Sequence, residues 1–154
     1  MKSDGEYSVR CREGSLNHEG HEAHEGNTKS EVKFDELSNT VLRCAIEVHR
    51  ELGPGLLEST YEQCLAYELN RAKIPFHIQV ALPVNYKEIR LDCGYRIDFF
   101  VANSLIVELK SVDQLLKIHE AQILTYMKLT KVRVGLLINF NVDVLRKGIR
   151  RFVL

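Results

Sequence analysis

The stretch from Tyr95 to Ser111, YRIDFFVANSLIVELKS, constrains this chain more than any other. FFVA and SLIV have the aromatic and β-branched make-up of neighbouring strands in a core, yet Asp98, Glu108 and Lys110 are spaced through them. A charge buried without a partner usually neutralises or moves out, so the fold must compensate three ionisable groups at once. The connecting loop sets the geometry. Directly opposed residues of an antiparallel pair point to one face. A three-residue loop, Ala102-Asn103-Ser104, places Asp98 opposite Glu108, whereas a two-residue loop at Asn103-Ser104 sends the carboxylates to opposite faces. Lys110 shares the face of Glu108 by the strand period.

Two carboxylates forced together repel, and a hard divalent cation such as Mg²⁺ makes the arrangement favourable. The Leu109 carbonyl is a further candidate ligand, and Lys110 would orient or deprotonate a water or stabilise charge on a phosphate. The competing reading is a Lys110–Asp98 salt bridge on the solvated face of an edge strand.

The flanking segments add polar groups at regular spacing. In HEAQILTYM, His119, Gln122 and Tyr126 fall within about 60° of one another on a helix. In GPGLLESTYE, Glu58 shares a helix face with Tyr61 or Glu62. A surface residue or a satisfied core tyrosine is the structural alternative for each.

The remaining pattern reads as αα-βββ-α-β in one α/β domain of mixed sheet. Val41, Leu42, Ala45, Ile46, Val48 and Leu52 follow a helical period from Leu37, with Ser38 or Asn39 as N-cap and Gly53-Pro54-Gly55 as stop. LLESTYEQCLAYELNRA follows as a second helix. FHIQVALPVNY reads as a half-buried strand presenting Ile78, Val80, Leu82 and Val84, and EIRLDCGYRIDFFVA and LIVELK as two more. A helix from about Val112 to Leu129 carries Leu115, Leu116, Ile118, Ile123 and Met127. VRVGLLINF is then a buried strand reached through a crossover, hence parallel to a neighbour.

Residues 1–36 hold five Lys/Arg against nine Asp/Glu, a net of −4, leaving 16 against 12, a net of +4, in residues 37–154. The first segment has almost no large apolar side chain and reads as a disordered, acidic His/Glu/Gly-rich tail. There His18, His21 and His24 have nothing to fix them as metal ligands. The basic lean of the rest is a mild one toward polyanions. Cys11, Cys44, Cys64 and Cys93 form no CxxC pair and read as reduced, mostly buried thiols. No run reaches the ~18 apolar residues of a membrane span, and MKSDGEYSVRCREG has no apolar core of a secretory signal, so the chain is expected in the cytoplasm.

Taken in order, Asp98, Glu108-x-Lys110 and Gln122-xxx-Tyr126 resemble the PD-(D/E)XK nuclease superfamily, and Gly55-xx-Glu58-xx-Tyr61 resembles the small bacterial GxxExxY family within it. The resemblance covers residues 37–154 and implies a restriction-endonuclease-like fold. It implies Asp98, Glu108 and Glu58 as ligands of Mg²⁺ or Mn²⁺ and Lys110 as the catalytic lysine. Gln122 and Tyr126 would position the lysine, the metal site or the backbone of the nucleic acid, and His119 matches a frequent family position. Ile97 stands where the family commonly has proline.

The function implied is hydrolysis of phosphodiester bonds in nucleic acid, DNA ahead of RNA. Basic residues near the C-terminus, Lys128, Lys131, Arg133, Arg146, Lys147, Arg150 and Arg151, are candidates for phosphate contacts. No base-reading module is visible. A domain this small is expected to use a second copy or a partner protein to grip a duplex. The alternative is a binding module for nucleic acid or protein that keeps the fold without the chemistry.

Overall fold

The computed structural model describes residues 27–154, with side chains from residue 36 onward. The reading of residues 1–26, with its three histidines and Cys11, lies outside the described residues. Helix α1 (Asn27–Leu52) begins ten residues before Leu37, so Ser38 is a buried interior position rather than the N-cap. Val41, Cys44, Ala45 and Val48 supply its buried stripe. Gly53 ends it at φ +65°, its N–H donating to the His49 carbonyl at 2.8 Å. That left-handed cap costs glycine nothing. Helix α2 (Glu58–Arg71) buries Tyr61, Leu65 and Leu69 at four-residue intervals.

The five-stranded sheet has the order β1-β4-β5-β6-β7: β1 (Phe76–Ala81), β4 (Arg96–Val101), β5 (Leu105–Lys110), β6 (Val134–Asn139) and β7 (Ile149–Val153). All pairs are antiparallel except β5–β6, which is parallel as the helical crossover requires. Two of the strands expected from sequence are interrupted. Leu82-Pro83 and Asp92–Gly94 set off a separate hairpin, β2 (Val84–Tyr86) with β3 (Ile89–Leu91), turning at Lys87 with φ +53°. Helix α3 (Lys117–Thr130) starts five residues later than expected. Leu116 and Ile118 are therefore exposed, and only Ile123, Tyr126 and Met127 are buried.

The sheet separates two apolar layers. On one face α1 and α2 pack against Phe99, Val107, Leu109, Leu136 and Ile138. On the other α3 packs against Ile97, Ile106 and Leu137. The β4–β5 register is the one given by a three-residue loop, with Phe99 opposite Val107 and Val101 opposite Leu105. Alternation slips where the charges begin. Ile97 and Phe99 are two residues apart yet join different layers. Opposite that slip Gln79 has φ +52° in mid-strand. The flip at Gln79 also breaks the expected single face of β1, leaving Ile78 exposed while Val80 packs toward α3.

Candidate active site

The ionisable groups gather where β4 and β5 part. Beyond Phe99 and Val107 the ladder gives way to a side chain, and Leu109 N–H donates to Asp98 Oδ2 at 2.8 Å. Glu108 points toward α3 with its side chain only 2% exposed. Its Oε1 accepts from Lys110 Nζ and from Gln122 Nε2, each at 3.0 Å. Gln122 Nε2 also donates to the Tyr126 hydroxyl at 2.9 Å. The spacing of Gln122 and Tyr126 on one helix edge thus has a structural purpose: both line up over the end of β5. Lys110 pairs with Glu108 on a central strand, which overturns the edge-strand Lys110–Asp98 alternative.

From the other layer α2 contributes Glu58 at its first residue, within electrostatic reach of Lys110 and Asp98. Two residues that the sequence did not single out for the site complete this side. Gln79 Nε2 donates to Glu62 Oε2 and, at 3.2 Å, to Asp98 Oδ1. Arg96 holds the Gln79 carbonyl at 3.3 Å. A non-glycine residue at positive φ in a strand stores strain and is kept where surroundings over-determine it. Only the pairing of β1 with β4 brings Gln79 opposite Asp98, so no local signal marks it.

Tyr61 is a core residue. Its ring stacks on Phe140 at 4.3 Å, its hydroxyl donates to the Gly53 carbonyl at 2.6 Å, and it accepts from Leu56 N–H at 3.2 Å. It thereby fixes the loop that delivers Glu58, as does Ser111 Oγ donating to the Leu56 carbonyl at 2.6 Å. Asn139, at the end of β6 beside Lys110, holds both the N–H and the carbonyl of Val112. His119 accepts from Leu116 N–H through Nδ1 and caps the start of α3.

Burial pushes Glu108 up to about 7, Asp98 adding to the rise and Lys110 opposing it. Asp98 and Glu62 are also raised, chiefly by desolvation. Burial pulls Lys110 down, but the Glu108 carboxylate, with Glu58 and Asp98, more than offsets this and leaves its pKa above the ordinary value. Lys110 is a cation here. Tyr126 is raised by burial and retains its hydroxyl proton.

Glu108 Oε2 is buried without a hydrogen-bond partner. Orphaned carboxylate oxygens are uncommon, and a second carboxylate nearby makes a hard divalent cation the natural complement. Among the described residues no three His, Cys, Asp or Glu side chains converge as a closed ligand set. The other oxygens are engaged, Asp98 Oδ1 by Gln79 and Glu108 Oε1 by Lys110 and Gln122. The donor chemistry fits the ion, and ligation requires Asp98 Oδ1 to exchange its Gln79 partner.

The basic residues do not form one patch. Parallel pairing puts Leu105 beside Val134 and Lys110 beside Asn139. Lys128, Lys131 and Arg133 therefore lie at the end of the sheet away from the carboxylates. Arg146 and Lys147 fall in a 3₁₀ turn (Leu145–Gly148) that follows β6 at the site end. Lys147 is paired with Asp143 at 2.9 Å. Arg150 and Arg151 lie on β7, opposite Leu137 and Leu136. Among the described residues no helix is long and apolar enough to cross a membrane.

Neither curated proteins nor solved structures contain a match to this sequence. A family model does match, over residues 35–152, and it spans every residue of the site just described. The chain belongs to the PD-(D/E)XK nuclease superfamily.

Proposed function

We propose that this chain is a divalent-metal-dependent nuclease of the GxxExxY type, hydrolysing phosphodiester bonds in nucleic acid, DNA in the first place. The observation that carries the reading is the orphaned Glu108 Oε2, buried beside Asp98 while Lys110 and Gln122 hold the other oxygen. Asp98 and Glu108 would hold Mg²⁺ or Mn²⁺, with Glu58 reaching it from α2. Bound there, the cation supplies Lewis acidity, making water a better nucleophile and offsetting charge on the phosphate. Lys110, kept protonated by its carboxylate neighbours, contributes fixed positive charge where the phosphate gains negative charge. Gln122 and Tyr126 are positioning residues: Gln122 occupies Glu108 Oε1, which leaves Oε2 for the ion, and the Tyr126 hydroxyl accepts from Gln122 and holds its amide in place. Arg146 and Lys147, at the same end of the sheet, are the basic residues best placed for flanking phosphates.

The test is cleavage of labelled single-stranded, double-stranded and branched DNA and of RNA, with Mg²⁺, Mn²⁺ or EDTA. The wild type is run beside Asp98→Asn and Lys110→Ala. Metal-dependent cleavage is expected, reduced about 10²–10³-fold or more in each variant. Folded, metal-binding protein that leaves every substrate intact would instead identify a binding module on the nuclease fold.

A further inference from the structure

A cavity of about 690 Å³ opens between α3 and the segment returning from the β2–β3 hairpin. That is the size range of small-molecule sites, ~300–1,000 Å³. Val84 and Tyr95 form one wall and Ile118, Ala121 and Leu129 the other. Tyr95 is 48% and Ile118 68% exposed, large apolar groups left at the mouth. Cys93 also lines it and is exposed, contrary to the expectation for the cysteines. None of the lining side chains is charged, so the cavity suits a neutral, flat group rather than a further phosphate.

Its polar end is shared with the active site. Gln122 and Tyr126 line the cavity and also make the bonded chain to Glu108. Tyr95 stands edge-on to Tyr126, ring centroids 6.4 Å apart. The apolar space therefore starts one hydrogen bond from the carboxylate. A nucleotide joins the two chemistries that this places side by side, a phosphate for the charged centre and a flat base for the cavity.

We propose that the cavity receives an unpaired nucleobase adjoining the phosphate presented to Asp98 and Glu108, stacked on Tyr95. The substrate is then single-stranded, or carries an unpaired nucleotide at the point of cleavage. This rests on the nuclease reading above. Every base has a π-face, so stacking on an aromatic ring tolerates any sequence. A base within a duplex enters only after the cost of unpairing and unstacking.

The experiment measures binding in Ca²⁺ of a labelled single-stranded oligonucleotide and of the blunt duplex of the same sequence. Tyr95→Ala removes the stacking ring. Ala121→Trp, at an exposed helix position, plugs the cavity without disturbing the core. The single strand should bind about tenfold tighter than the duplex, and each substitution should remove about that factor. Moving one abasic position along the strand should reproduce the loss at a single place. Equal binding of duplex, indifference to Ala121→Trp, or no oligonucleotide binding at all overturns the proposal. So does a homodimer that Tyr95→Ala dissociates, since a second copy then covers this face. Cleavage separates the two readings. Duplex cut by Ala121→Trp at the wild-type rate sinks the base pocket alone. An abasic signature in a protein that cuts nothing sinks the nuclease alone.

Discussion

The two ends of the β5–β6 pair are built from the same strands and have opposite characters. At one end Leu105, Ile106 and Val107 lie beside Val134, Gly135 and Leu136, all buried, with β4 fully laddered alongside. At the other, Glu108 and Lys110 replace apolar residues, β4 parts from β5, and side chains of Asp98 and Asn139 take up backbone groups. Closely packed interiors resist change in volume, whereas a site needs free valences. Here the first end supplies the rigidity with which the second holds an orphaned carboxylate oxygen in place.

The contrast can be broken from the apolar end. Leu136→Ala should cost about 2–5 kcal/mol in urea unfolding. Cleavage per folded molecule should stay unchanged where the variant is fully folded. A comparable loss of kcat would show that the ends are not separable.

From the charged end the sign is reversed. The folded form of the metal-free protein holds the Glu108 proton up to about pH 7 against an ordinary value of 4.5. The stability this confers is complete below about pH 4.5 and is lost as pH rises through 7, by about 3 kcal/mol. Thermal melting in EDTA across that range reads it. Glu108→Gln should make the fall shallower, the raised Asp98 and Glu62 carboxyls keeping part of it, and Mg²⁺ should restore stability above pH 7 in the wild type only. A wild-type melting temperature that rises with pH there would contradict the burial of this carboxyl.

Smaller effects sharpen the boundary. Tyr126→Phe removes one hydroxyl that contacts Gln122, so kcat should fall by about tenfold or less, with little change in KM. Smallest of all, Arg146→Ala should weaken nucleic-acid binding a few-fold at low salt and reduce the salt slope by about one. Lys131→Ala, at the far end of the sheet, should do neither. Equal effects from both would mean that the substrate runs the length of the sheet.

The sequence left two loop lengths open for β4–β5, and the three-residue one found is the one that brings Asp98, Glu108 and Lys110 together. Helical spacing likewise brought Gln122 and Tyr126 to one edge. What the sequence hid depends on pairings between distant segments. Gln79 lies in an ordinary strand pattern, and its positive φ has meaning only opposite Asp98. Ser111–Leu116 contains enough apolar residues to continue a helix, but Asn139 ties Val112 to β6 and delays α3. The polar residues before Leu37 gave no apolar period, so the early start of α1 was invisible. The run of basic residues looked like one cluster until the parallel register divided it between two ends.

The bond from Leu109 N–H to Asp98 Oδ2 makes this carboxylate a rung of the sheet as well as a candidate ligand. An alanine at 98 therefore deletes two things together, and an inactive variant of that kind confounds lost chemistry with a loosened β4. Asparagine at 98 keeps an oxygen that can take the Leu109 amide while discarding the charge. For trapping an uncleaved complex, Asp98→Asn keeps the Leu109 rung and gives up, besides the chemistry, only the bond from Gln79.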